Sequence, residues 1–252
     1  FAPAEFDGPE MQASIDRVQK ELGHLTCSQL LVSEENMIGS PHDNIDRAVL
    51  YPDLQQRMNR FKSAFSGHIS QIGFSIRYYE TYWASLLSFA VLRDQPLPDA
   101  RQLDAIALQT RRWSDLLGEL RDLFPATPIH VWRFEDFARK PNRLLPRLLG
   151  FDLPGLNQVN EQKNYGRTTD SLRRLLGEQG RGEDARQFPK TQQRWMPFDQ
   201  DQQAQMKKAY AEEFDALTRD PDPLTTYHKS AAIKVLRRSD TGDRDDLKRQ
   251  MG

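Results

Sequence analysis

The stretch IGFSIRYYETYWASLLSF, residues 72–89, decides the fold of this chain. Its first five residues are mostly apolar and short enough for a buried strand. From Tyr79 to Leu92 the aromatic and aliphatic residues recur at helical spacing. Arg77 stands at the join, and Ser85 follows eight residues later, about two turns into the helix. In an open parallel sheet, ligands bind beyond the carboxyl ends of the strands, so a permanent cation at such a join is a candidate ligand contact.

Working outward, a helix is expected from Pro9 to Gly23, with Ile15, Val18 and Leu22 on one face. The segment SQLLVSEEN then carries Leu30, Leu31 and Val32 and turns acidic at Glu34 and Glu35, which reads as a buried strand emerging into a loop. Residues 53–66 predict a second helix before the strand ISQIGFSIR. A break at QPLPDA separates the helix at 79–92 from a long helix expected over 100–123. IHVWRFEDF supplies another strand, Ile129 to Trp132, ending at Arg133, Glu135 and Asp136. Helices alternating with strands predict an α/β domain with a parallel, doubly wound sheet.

Residues 158–198 are basic, contain glycine and lack apolar periodicity, so they are read as a loop or lid with one short helix. A final helix over about 199–220 uses Met206, Tyr210, Phe214 and Leu217. The expected organisation is one domain over 1–227 and a charged tail over 228–252.

The 35 basic and 36 acidic residues leave a formal charge of −1, so no global field marks a nucleic-acid or membrane-surface binder. A mean hydropathy of −0.73 and the absence of a long apolar run argue against a membrane span. FAPAEFDG lacks the features of a secretory signal, and a cytoplasmic location is expected. The one cysteine, Cys27, excludes an internal disulfide and is read as a small core residue. His24, His68, His130 and His228 show no metal-ligand spacing along the sequence.

A guanidinium fork with a hydroxyl donor suits a phosphate monoester, because the charge is permanent and two oxygens are held at once. A structural arginine and a packed serine fit the same spacing. The pair resembles the 3′-phosphate motif of sulfotransferases that use 3′-phosphoadenosine-5′-phosphosulfate. LLVSEENMIG is similar to the strand and acceptor-facing loop of the bacterial carbohydrate-type members. IHVWRFEDFARKPNRLLPRLLGF resembles their later strand with its acidic signature, and QKNYGRTTDS the segment closing over the adenosine. The resemblance spans most of residues 10–220.

That resemblance implies a P-loop-like, helix-rich α/β/α fold of three layers around a central parallel sheet. It implies sulfuryl transfer from the 3′-phosphoadenosine-5′-phosphosulfate co-substrate to a hydroxyl, expected on a carbohydrate, with no metal. Arg77 and Ser85 would hold the 3′-phosphate, and Lys163, Asn164 and Arg167 would close on the donor. Glu34 or Glu35 would act as the base, with His42 the next candidate, and Trp195 as a ligand platform. The family's PKTGTT-like turn for the 5′-phosphosulfate has no counterpart in these 252 residues, so the donor site is expected to be incomplete here. The opening Phe is read as the mark of a lost natural start, with the first strand and loop. The alternatives are another nucleotide-dependent transferase, such as a glycosyltransferase or kinase, or a non-catalytic glycan- or protein-binding module.

Overall fold

The computed structural model describes residues 9–34, 36–65, 67–138, 140–153 and 167–229. Helix α1 (Pro9–Gly23) forms where the apolar spacing predicts it, and buries Ile15 and Val18 against α3. The expected strand after it is absent among the described residues: 25–34 have no regular structure. Leu30 and Leu31 are 43% and 50% exposed, and Cys27 is exposed rather than in the core. Three consecutive apolar residues look the same in a sequence whether or not a neighbouring strand exists to satisfy their backbone groups. No described strand pairs with them.

Helix α2 (Pro41–Arg47) starts on Ser40, whose Oγ accepts from the Asp43 N–H at 3.2 Å. Helix α3 (Leu54–Phe65) is followed by strand β1 (Ile72–Ile76) and helix α4 (Tyr79–Val91). The helix expected over 100–123 is two, α5 (Ala100–Ala107) and α6 (Trp113–Leu123). Arg111 explains the break, since it lies between them with its guanidinium bound to the Leu50 and Tyr51 carbonyls and to both oxygens of Glu119. Asp115 then restarts the helix by accepting from the Arg112 N–H at 2.7 Å.

Strand β2 (Ile129–Arg133) leads into the single turn α7 (Phe134–Phe137) and then α8 (Pro141–Leu149). Within the segment expected as a loop with one short helix, the described residues 167–198 carry two, α9 (Thr169–Glu178) and α10 (Gly182–Arg186). They close over a small cluster of Leu172, Leu176, Ala185 and Phe188 that also takes Val91 of α4. Helix α11 (Gln200–Arg219) opens on a capping box between Asp199 and Gln202. A last strand, β3 (Thr225–His228), was not expected, because TTYH is too short to show a period.

The three described strands form one parallel sheet in the order β1-β2-β3. Alternation sends Phe74, Ile76, Ile129 and Val131 to the face that packs in the main core, together with residues of α3, α4, α6 and α11. An aromatic box fixes those helices. Tyr79 stacks parallel on Trp113 with centroids 5.9 Å apart, and its hydroxyl donates to Glu213 of α11.

The opposite face is more polar and carries Gly73, Ser75, His130, Trp132 and His228. Gly73 lets the Trp132 indole lie over β1, and a Cβ there would stand 3.0 Å from Trp132 Cη2. On the same face, His130 Nδ1 and His228 Nε2 are 2.9 Å apart. Burial lowers the pKa of both imidazoles, helped at His228 by His130 and Arg147. The fold is therefore mixed α/β, helix-rich, with a small parallel sheet.

Candidate functional site

Arg77 follows β1 directly, and its carbonyl accepts from the Trp113 indole N–H at 2.9 Å, which anchors the backbone where strand passes to helix. The side chain is only 20% exposed. Its guanidinium makes no hydrogen bond to a described residue, and Nε is buried without a partner. The nearest carboxylate oxygen is Glu135 Oε1, 3.9 Å from Nε, and the Phe134 ring lies 4.6 Å below the guanidinium carbon. Burial pushes the Arg77 pKa down and Glu135 pulls it back, while a second cation, Arg194, pushes it down again.

Arg194 is the residue that sequence reasoning missed. It lies in QQRWMPF and pairs as an isolated antiparallel bridge with Thr168, the N-cap of α9. The Thr169 N–H and hydroxyl reach the Gln193 and Thr191 carbonyls, which fixes this strip against the start of α9. Only the folding of the 167–198 segment back along α4 brings Arg194 into the field of Arg77.

The ends of β1 and β2 are joined by acids. Glu135 accepts from the Tyr78 N–H at 3.2 Å and also from its own amide. Glu80, 5% exposed, folds back on its own N–H and leaves Oε2 buried without a partner. Burial raises the pKa of both carboxyls, and each also feels the other or Arg77. Helix α4 has no side-chain cap, so these carboxylates hold amides at the start of α4 and at the end of β2. Arg133 is otherwise engaged, bonded through Nε and Nη2 to the two oxygens of Asp136 at 3.0 Å each.

Behind Arg77 the wall is tied by hydrogen bonds. Buried Asn44 donates to the Tyr82 hydroxyl at 2.6 Å and accepts from the Tyr51 N–H at 3.0 Å. Tyr51 and Tyr82 share a hydrogen bond beside Arg77. Tyr51 has a positive φ of 40°, and Gly39 permits it to pack close, since a Cβ on Gly39 would stand 2.7 Å from Tyr51 Cδ1.

The other expected site residues are more scattered. Ser85 is half-buried on α4 and makes no hydrogen bond to a described residue. His42 is half-buried on α2, which packs against α4. Glu34 is exposed, its carboxylate accepting from the Asn36 N–H at 3.1 Å, and is not among the groups whose charge acts on Arg77. Arg167 is exposed one residue before the α9 cap. Glu35, Lys163 and Asn164 lie outside the described residues. Trp195 is half-buried, packed edge-on against Phe188 at 5.2 Å, and therefore belongs at least partly to the packing of the 167–198 segment.

Geometrically, the carboxyl ends of β1 and β2 bring together a buried, unsaturated guanidinium, a second arginine and two carboxyls with raised pKa values. An unsaturated guanidinium with a second cation in its field offers the charge-assisted donors that binding an anion requires. The chain matches no family model, no curated protein and no solved structure.

Proposed function

We propose that this crevice binds the 3′-phosphate of an adenosine bisphosphate, and that the protein is a sulfotransferase using 3′-phosphoadenosine-5′-phosphosulfate. The observation that carries the reading is Arg77, a guanidinium four-fifths withdrawn from solvent with no hydrogen bond among the described residues. A buried cation whose hydrogen-bond donors are unfilled costs on the order of a few kcal/mol even beside the Glu135 charge, and an incoming dianion offsets that cost through two charge-assisted hydrogen bonds. Ser85 is the proposed hydroxyl donor and Arg194 a second cation at the same phosphate.

The finer architecture belongs to this proposal. A P-loop-like three-layer arrangement is supported by the parallel sheet, with the main helical core on one face and Leu148 of α8 against Gly73 and Trp132 on the other. Transfer requires a base near the acceptor hydroxyl, and Glu34, Glu35 and His42 remain its candidates. Glu80 and Glu135 stand beside the 3′-phosphate position, remote from the sulfuryl end of the donor, and serve there as exchangeable counterions. The acceptor is read as a hydroxyl of a carbohydrate.

Calorimetry comparing adenosine 3′,5′-bisphosphate with 5′-AMP tests the reading. Tighter binding of the bisphosphate is expected, and equal binding of the two contradicts a 3′-phosphate site.

A further inference from the structure

On the polar face of the sheet, two imidazoles meet that the sequence separates by 98 residues. His130 and Thr226 are register partners, as are Trp132 and His228, so the two histidines are diagonal neighbours on adjacent parallel strands. Both are half-buried, and His130 Nδ1 lies 2.9 Å from His228 Nε2, a hydrogen bond from ring to ring. Among the described strands β3 is paired on one side only, so this bond reinforces a four-residue edge strand.

A bond between two imidazoles depends on their protons. With both rings neutral, one facing nitrogen carries the hydrogen and the other a lone pair. A first added proton keeps the bond, since the charged ring donates to the neutral one. A second leaves two N–H groups and two positive charges face to face, with no acceptor between them. Among the described residues, the charges that act on the pair are those of the rings themselves and of Arg147 on α8, which is also positive and donates to the Lys229 carbonyl at 2.9 Å. The acids of neighbouring elements are engaged elsewhere: Asp222, ahead of β3, pairs with Arg121, Asp136 of α7 with Arg133, and Glu135 holds the Tyr78 amide. Lys229 and Arg143 of α8 are exposed cations.

We propose that the hydrogen bond between His130 and His228 is a proton-sensitive clip, closed while the pair holds at most one added proton and opened by the second, which frees β3 from β2. Burial holds both rings below the ordinary histidine value of 6.5, and at His228 the His130 and Arg147 charges add to this. A freed strand therefore takes up protons before the closed one does. The clip is complete above about pH 6.5, and its contribution is lost as pH falls below that value. Opening withdraws Tyr227, which packs against the main core, and Thr225, whose hydroxyl accepts from Arg121 Nη2 at 3.3 Å. The inference does not depend on the sulfotransferase reading.

Hydrogen exchange of the β3 amides in the full chain, expressed as protection factors from about pH 8 to about pH 5, tests the clip in wild type, His130→Gln and His228→Gln. Glutamine offers both a donor and an acceptor throughout this range, so it can bond either form of the remaining ring. Wild-type protection is expected to hold above about pH 6.5 and then to fall about tenfold per pH unit where opening takes up one proton. Both variants should lose most of that dependence. Nitrogen-15 NMR of the wild-type imidazoles needs no variant: the pair should titrate in two separated steps, the second well below the first. Wild-type protection that stays constant down to about pH 5, a variant that keeps the wild-type slope, or two rings that titrate as independent groups overturns the proposal.

Discussion

Arg77 and Glu135 face each other across the carboxyl ends of β1 and β2 with Nε and Oε1 3.9 Å apart, close enough to attract and too far to hydrogen-bond. Glu135 spends its hydrogen bonds on the Tyr78 amide and its own. The acid thus holds backbone donors that an external anion would otherwise take, and leaves the guanidinium unsaturated.

On the proposed reading, this arrangement couples anion binding to a proton. Burial already raises the Glu135 pKa, and a phosphate beside it would raise it further, so binding takes up a proton. Affinity for adenosine 3′,5′-bisphosphate should fall as pH rises through that carboxyl's titration. Glu135→Gln should flatten the pH profile and tighten binding at neutral pH about fivefold, or ~1 kcal/mol for one repulsion near solvent. Calorimetry in two buffers of different ionisation enthalpy measures the proton uptake.

Arg194 acts on Arg77 from an exposed position, so its influence should be screened. Arg194→Ala is expected to weaken bisphosphate binding several-fold at low ionic strength and by little at high salt. A titration series in NaCl separates this from Arg77, whose withdrawn guanidinium should keep its effect.

Asn44 is fully buried and serves Tyr82 and the Tyr51 amide together. Asn44→Ala leaves the Tyr51 N–H without its acceptor and the Tyr82 hydroxyl with only its Tyr51 partner, and should cost about 1–3 kcal/mol for an unsatisfied buried group, read by chemical denaturation. Bisphosphate affinity should fall as well, because the phenols behind Arg77 lose their anchor.

At Gly73 the obstruction is the Trp132 indole, 3.0 and 3.2 Å from a built Cβ. Gly73→Ala should destabilise by about 1–3 kcal/mol through overpacking. Trp132→Leu in the same chain should recover part of that loss in a double-mutant cycle, since the smaller side chain vacates the contested space.

Much of this was legible where local pattern and tertiary role agree. IGFSI and the aromatic run after it yielded β1 and α4 to within a residue or two, because a strand-to-helix change of period is a local signal. SQLLV misled because burial of a strand depends on a neighbour that no short window shows, and the same error put Cys27 in the core. The break between α5 and α6 depends on Arg111 reaching the Leu50 and Tyr51 carbonyls. Such a long-range anchor leaves no trace in helical periodicity. Of the site, Arg77 was visible from its position at a strand end, whereas Arg194 and the His130–His228 pair arise from distant segments meeting in space.

The most direct measurement is the preference for adenosine 3′,5′-bisphosphate over 5′-AMP in wild type and in Arg77→Ala, taken by calorimetry at one pH and salt. The account predicts a clear preference in wild type that Arg77→Ala largely abolishes, with the affinity for 5′-AMP little changed. A preference that survives in Arg77→Ala would contradict it.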